Sequence, residues 1–274
     1  MRALPSWCSD IRLSYVRDLA CVLLSAPLTD DLPVALRHPL SASVWQQKPE
    51  TLKAWLLALE QHPEALLAAL GSQQTRLGRY FETLWLFALT HAPGIKVLAH
   101  NWVMYEGKRS IGEIDFIIED AQGIHHVELA VKFYLAPKAL ETNLDLYRGP
   151  ASHDTLGAKV KRLNDHQLRL TEQAFVKEQL LARGIQKLKP SAWVTGMLFY
   201  PDHPPFWHHH HDWNKPGLWV EIPRLHWLSP YQADHPVAFR QKPDEPQMLG
   251  KLVCANGRFQ EVDRVLLVPD QWPN

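Results

Sequence analysis

Apolar residues recur at helical spacing through the first third of the chain. In the earliest segment Val16, Leu19 and Leu23 share one face of a predicted helix, and Ser9 or Asp10 is placed to cap it. Proline and glycine residues divide the later apolar runs, which predict three more helices. These helices cover residues 51–59, with Thr51 as the cap, residues 63–71 and residues 73–91.

The hydrophobic pattern changes from helical to alternating after Pro93-Gly94. Three strands joined by short turns, and therefore antiparallel, are predicted at residues 95–105, 111–119 and 124–134. Two further helical segments and one strand are predicted at residues 155–170, 172–183 and 191–200. The central part of the chain thus has the element order α-β-β-β-α-β.

The pattern divides the chain into three parts and predicts a mixed α/β protein. Residues 1–72 form a helical N-terminal region, and residues 73–200 form the α-β-β-β-α-β core. Residues 201–274 are rich in proline, tryptophan and histidine and contain short apolar strands. Because this last part is strongly apolar, we expect a β-rich extension that packs on the core and buries its tryptophans.

Composition narrows the classes of function. The chain of 274 residues carries 29 Lys and Arg against 29 Asp and Glu, so its formal net charge is zero. This balance excludes a nucleic-acid binder that works by bulk positive charge, although not one with a local basic groove. The three cysteines form no CxxC pair, which excludes a zinc ribbon and favours a reducing cytoplasm. No apolar run is long enough to predict a membrane span.

Acidic residues line one face of two neighbouring predicted strands. Side chains alternate along a strand, so Asp115 shares a face with Glu113, opposite apolar neighbours. On the next strand Glu128 and Lys132 share a face in the same way. Two carboxylates on adjacent strands, completed by Glu82 from the preceding helix, suit Mg²⁺, which prefers hard oxygen ligands. The alternative interpretation is a solvated polar sheet face with a salt bridge across the strands.

Four sequence motifs carry a resemblance to a known family. They are RLGRYFE at residues 76–82, GEIDF at 112–116, VELAVKFY at 127–134, and Gly149-Pro150 with HQL at 166–168. Together they resemble an uncharacterised bacterial family, domain of unknown function 1853, over most of the chain. That family is similar in turn to the PD-(D/E)XK nuclease superfamily, whose core corresponds to residues 73–200 here.

The resemblance implies a restriction-endonuclease-like fold and metal-dependent hydrolysis of phosphodiester bonds in nucleic acid, with DNA as the expected substrate. It makes Glu82, Asp115 and Glu128 the catalytic acids and the ligands of Mg²⁺ or Mn²⁺. The superfamily's lysine falls at Ala130, and Lys132 lies one step further along the same strand face, about 7 Å away. A lysine side chain reaches back that far, so Lys132 is the expected substitute.

Positive charge follows the third strand and is expected to lie beside the acidic site, where it would bind phosphate groups. Four basic residues and one glutamine are the candidates for contact with nucleic acid: Arg148, Lys159, Lys161, Arg162 and Gln167. The alternative interpretation of these basic residues is a solvated helix face.

A run of four histidines at residues 208–211 is a second candidate for metal chemistry. Adjacent side chains on a strand point apart, and on a helix only His208 and His211 share a face. Three converging ligands would therefore need His203 or Asp212 as well. We expect instead a surface loop that binds metal opportunistically, and a dedicated metal-binding protein is the third class of function considered.

Two functions stand ahead of that third class. The first is a Mg²⁺- or Mn²⁺-dependent nuclease in which the three acids hold the ion and Lys132 stabilises the charged transition state. The second is a module that keeps the nuclease fold with a degraded site and binds nucleic acid or a protein partner without hydrolysis. Ala130 is the residue that leaves this choice open.

Overall fold

The computed structural model describes residues 5–71, 75–138 and 141–273. Seven α-helices lie in these residues: α1 (Ser14–Leu24), α2 (Val44–Gln47), α3 (Pro49–Gln61), α4 (Glu64–Leu70), α5 (Leu77–His91), α6 (Leu156–Arg162) and α7 (Ala174–Ala182). Nine strands lie there too: β1 (Lys96–Glu106), β2 (Arg109–Asp120), β3 (Gly123–Leu135), β4 (Leu188–Phe199), β5 (Phe206–His209), β6 (Leu218–Glu221), β7 (Gln232–Ala233), β8 (Gln247–Ala255) and β9 (Arg258–Val268). Within the same ranges, no helix combines the length and apolarity that crossing a bilayer requires.

The strands form two mixed sheets. In the first sheet the order is β1-β2-β3-β4, and all neighbours are antiparallel except the parallel pair β3 and β4. In the second sheet the order is β5-β9-β8-β6, with β5 parallel to β9 and with β7 also paired to β9. The protein is therefore mixed α/β, as the hydrophobic pattern predicts.

Helices cover both faces of the first sheet. One face packs against α1, α3, α4 and α5 through the largest hydrophobic cluster, which includes Phe81 and Phe133. On the opposite face Ala130 clusters with apolar residues of α6, and Ile117 clusters with those of α7. Glu128 lies on this second face and is almost completely buried. At Glu128 the acidic face is thus covered by helices rather than solvated.

The C-terminal extension shares the main hydrophobic core. Met248 of β8 and Leu266 of β9 belong to the same cluster as the residues of α1 and α5. A buried polar contact joins the same parts, because Asp18 of α1 accepts hydrogen bonds from the hydroxyl groups of Tyr80 and Ser229. The predicted segments are therefore in close contact, while their boundaries at residues 72 and 200 stay predictions.

The start of α1 differs from the prediction. Ser9 and Asp10 lie in a separate 3₁₀ turn. Helix α1 begins after Leu13, and no side chain of the residue at this N-cap position caps the helix. Instead the carboxylate of Glu60 in α3 accepts the backbone N–H groups of Arg12 and Leu13, at 2.9 and 3.2 Å. A contact between segments distant in sequence thus replaces the expected local cap.

Two other helix ends also differ from the prediction. Thr51 lies inside α3, which begins at Pro49, since proline is favourable in the first helical turn. The single helix predicted over residues 155–170 is α6 followed by a π-helical turn, Leu163–Gln167. The predicted start of α5 near residue 73 falls outside the described residues, and the helix is observed from Leu77.

The histidine run is not a surface loop, which corrects the expectation. His208 and His209 belong to β5 and pair with β9 in the second sheet. His210 follows in a 3₁₀ turn and is buried, with its Nε2 atom 3.0 Å from the backbone oxygen of Glu245. Tryptophan follows the prediction: in the part of the chain that the structure describes, every tryptophan after residue 200 is buried or half-buried.

Candidate functional site

Asp115 and Glu128 lie where β2 and β3 separate. The antiparallel ladder between these strands ends at the pair Phe116 and Val127. Immediately beyond it, the Oδ2 atom of Asp115 accepts the backbone N–H of Leu129 at 2.9 Å. The Oε1 atom of Glu128 accepts the backbone N–H of Asp115 at 3.4 Å. The two carboxylates thus replace main-chain pairing at the point where the strands diverge.

Hydrogen bonds from three groups hold the buried carboxylate of Glu128. Besides the amide of Asp115, the Nε2 atom of His126 lies 2.7 Å from Oε1, in the geometry of an N–H donor. The side-chain amide of Gln167 donates to the other oxygen, Oε2. A carboxylate bound at both oxygens has a fixed orientation, so Glu128 is held rigidly in the site.

The acids crowd one another electrostatically. Burial and the nearby charge of Glu128 raise the pKa of Asp115 to about 8, although the Leu129 amide and Lys159 act in the opposite direction. Burial, then Glu113, and to a smaller extent Glu128, raise the pKa of Glu82. Glu82 therefore belongs to the same negative region as the other two acids.

Lys159 and Gln167 bring positive charge and an amide to the acids from α6 and its π turn. The Nζ atom of Lys159 lies 3.0 Å from the Oε1 atom of Gln167, whose amide nitrogen binds Glu128. Burial lowers the pKa of Lys159, and the charges of Glu128 and Asp115 counteract that effect. Of the basic residues named from the sequence, Lys159 is therefore the one whose charge acts most directly on the acids.

Lys132 points elsewhere in the structure. Its Nζ atom lies 2.7 Å from the Oδ2 atom of Asp154, which also accepts a hydrogen bond from the hydroxyl group of Tyr134. Ala130, where the resemblance to the nuclease superfamily leads us to expect a lysine, is buried against apolar residues of α6. Lys132 thus forms an ion pair on the loop before α6 instead of contacting the acids.

The other basic candidates make no hydrogen bond or ion pair with Asp115 or Glu128 among the described residues. The guanidinium of Arg148 donates to the backbone oxygen of Ser152 at 3.2 Å, within its own loop. Lys161 and Arg162 are exposed on α6.

Sequence reasoning missed His126 as part of this site. Its signal is the strand alternation, because a residue two positions before Glu128 faces the same side of β3. The ion-pair role of Asp154 had no such signal, since it lies on a loop. Among the described residues, no three His, Cys, Asp or Glu side chains form a group arranged to hold a metal ion.

Comparison with known proteins identifies the family. The model of DUF1853, a domain of unknown function, matches residues 17–268. The chain belongs to this family. The match runs from α1 to the last residue of β9, so the DUF1853 region includes both sheets and the acid pair. No curated protein and no solved structure matches the chain.

Proposed function

We propose that the acid pair is the centre of a metal-dependent nuclease that hydrolyses phosphodiester bonds in nucleic acid, with DNA as the expected substrate. The observation that carries the proposal is the placement of Asp115 and Glu128 on diverging strands, with the ammonium group of Lys159 near them. Acids that are buried together destabilise one another's charge, which favours a bound cation and is common at functional sites.

The order of elements supports a restriction-endonuclease-like core. Helix α5 precedes the antiparallel strands β1, β2 and β3, and α6 and α7 lead to β4, which is parallel to β3. The acids occupy α5, β2 and β3, as the resemblance to the PD-(D/E)XK superfamily implies. The helix after β3 then supplies the lysine and the glutamine.

A divalent cation fits the chemistry of these oxygen atoms. Mg²⁺ is usually bound by one or two carboxylates together with water and substrate phosphate oxygens, so a closed set of three protein ligands is not required. Asp115 offers Oδ1, which accepts no hydrogen bond from any residue that the structure describes. Asp115 and Glu128 would hold the ion beside Glu82, and the ion would supply Lewis-acid stabilisation and an acidic bound water.

Side chains of the protein orient the acid and balance charge. His126 and Gln167 fix the direction of the Glu128 carboxylate. Lys159 is placed to balance negative charge that develops on a phosphate beside the acids, as a positioned cation does at such sites. We therefore assign to Lys159 the role that the sequence suggested for Lys132, whose ammonium group is paired with Asp154.

A second candidate function is a module that binds nucleic acid without hydrolysis. Two observations favour it: Ala130 stands at the superfamily's lysine position, and both oxygens of Glu128 already accept hydrogen bonds. A cation would have to displace the amide of Gln167 to bind Oε2 of Glu128.

A nuclease assay separates the two functions. Labelled single- and double-stranded DNA and RNA are incubated with Mg²⁺ or Mn²⁺ and the wild type, Asp115→Asn or the control Glu119→Gln. Glu119 is exposed on the same strand as Asp115. We expect cleavage by the wild type and the control, and loss of cleavage in Asp115→Asn. Cleavage that persists in Asp115→Asn rejects this site, and binding without cleavage by the wild type favours the second function.

A further inference from the structure

A cleft of about 650 Å³ opens along β3, beyond the point where that strand leaves β2. Its walls come from the start of α5, the end of β3, the loop at residues 149–154, and the second sheet near residues 221–224. Two of the family motifs, at residues 76–78 and at Gly149-Pro150, line it, although neither belongs to the acid pair. The acid site therefore gives no role to the contact between these two distant segments.

Two of the three lysine and arginine side chains that line the cleft are not paired with its acids. Arg76 and Arg224 line it and are exposed, and neither forms an ion pair or a side-chain hydrogen bond with any described residue. Arg224 lies over the ring of Trp227, 5.5 Å from its centre. The two lining carboxylates have other partners, since Asp154 binds Lys132 and Glu221 is 3.1 Å from a lysine outside the cleft.

The backbone at the start of α5 adds to this positive character. No side chain caps the helix, and its first turn contains no acidic residue. Its N–H groups therefore add positive partial charge next to Arg76. A Cβ atom built on Gly78 would have no neighbouring atom within 4 Å, so the cleft is open at this position.

We propose that this cleft binds the phosphodiester backbone of a single nucleic-acid strand and leads it to the acid pair, which rests on the proposed function. Helix α5 connects the two places, since Glu82 follows Leu77 by about 7.5 Å of helix rise. A volume in the range of small-ligand pockets suits one strand and not a duplex. Its lining aromatic residues, Phe133 and Trp227, are buried, so contacts fall on the backbone rather than on stacked bases.

The test measures binding of a short labelled single-stranded DNA by fluorescence anisotropy, with EDTA present and over a series of salt concentrations. The double variant Arg76→Gln with Arg224→Gln is compared with the wild type. We expect binding at low salt to weaken by about ten-fold or more, and the slope of log affinity against log salt to fall by about 1.4, or 0.7 for each charge. Arg109→Gln, an exposed arginine outside the cleft, should bind as the wild type does.

Gly78 provides a matched pair of variants. Gly78→Ala adds only a methyl group to open space and should bind as the wild type does, whereas Gly78→Glu places a carboxylate in the cleft and should weaken binding. Unchanged binding in the double arginine variant, or in Gly78→Glu, overturns the proposal. Equal displacement of the strand by inorganic phosphate and by unlabelled strand at the same phosphate concentration also overturns it, because a single phosphate would then suffice.

The cleft and the nuclease proposal fail in different ways. Because the binding assay contains no metal ion, it measures strand binding separately from cleavage. Strand binding that depends on Arg76 and Arg224, in a protein that cleaves nothing with Mg²⁺ or Mn²⁺, supports the cleft and rejects the nuclease. Thermal unfolding of each variant, monitored by circular dichroism, should match the wild type, since the altered side chains are exposed.

Discussion

The ammonium group of Lys159 lies 3.0 Å from the side-chain oxygen of Gln167, although eight positions separate them. In a regular α-helix, such residues point about 80° apart. The π turn at Leu163–Gln167, closed by the backbone N–H of Leu168 and the oxygen of Leu163, adds one residue to the turn. That extra residue returns Gln167 to the side of Lys159, so both side chains reach the acids. Single π turns occur frequently at functional sites.

Replacement of Lys159 tests its assigned role. We expect Lys159→Met to lower the cleavage rate by about a hundred-fold or more, which is typical for a lost electrostatic contact to a transition state. Lys132→Met should cost much less, because its ammonium group is paired with Asp154. Lys161→Met, on the exposed side of α6, is the control. A larger loss in Lys132→Met than in Lys159→Met would return the role to Lys132.

Because His38 is buried as a neutral ring, we expect the protein to lose stability in acid. Its Nε2 atom lies 3.1 Å from the backbone oxygen of Leu23, and its Nδ1 atom accepts the N–H of Leu40, which only the neutral ring with hydrogen on Nε2 can satisfy. Burial lowers the pKa of His38 to about 4. The unfolded chain therefore binds more protons between pH 6.5 and 4, and stability falls as the pH falls through that window.

His38→Gln removes the titration while keeping a donor and an acceptor. Between pH 7 and pH 4 the wild type should lose about 3 kcal/mol of unfolding free energy relative to the variant. Urea denaturation at several pH values measures this difference. A difference between the two proteins that stays constant with pH would contradict the prediction.

We expect the buried carboxylate of Asp18 to stabilise the contact between α1 and the C-terminal extension. Its carboxylate is buried and accepts hydrogen bonds from Tyr80 at 2.9 Å and from Ser229. Asp18→Ala leaves both hydroxyl groups without their acceptor, and we expect a loss of about 2–4 kcal/mol of unfolding free energy in urea denaturation. Tyr80→Phe with Ser229→Ala should recover part of that loss in the Asp18→Ala background. No recovery would mean that the hydroxyl groups are not the source of the cost.

We expect that only glycine is tolerated at position 196, opposite the cleft residue Lys132. It pairs with Lys132 across β3 and β4 at a φ of 131°, and a Cβ atom there would lie 1.7 Å from the backbone oxygen of Lys132. Gly196→Ala should therefore cost more than about 4 kcal/mol, enough to leave little folded protein. Gly257→Ala is the matched control, because it also has a positive φ but no atom nearby, and should cost about 1–2 kcal/mol. Similar thermal unfolding temperatures for the two variants would contradict this account.

Local patterns in the sequence were sufficient to predict much of the candidate site. The two-residue alternation along β3 separates Glu128 from the apolar residues Val127 and Leu129, which face the main core. The same alternation pointed to Asp115 on β2. The prediction of an antiparallel meander is confirmed as well, because short turns leave the chain no room for a parallel crossover.

Local sequence patterns did not predict the contacts between distant segments. The cap of α1 comes from Glu60, more than forty positions away. Strand geometry allows the side chain of Lys132 to reach back toward Ala130, but Asp154 on a loop binds it instead. Side chains on a loop follow no regular periodicity, so the sequence pattern does not predict which of them will contact Lys132.

The sequence by itself determined the face of Glu128 on β3, the approximate positions of most helices and the membership of the family, because each depends on local periodicity or on motifs. Only the tertiary structure decided that Lys159 rather than Lys132 lies close to the acids, and that Gln167 binds Glu128. The physical reason is that these contacts depend on one π turn and one loop ion pair. Both are set by how α6 packs on the sheet, where differences of a single residue in helical register redirect a side chain.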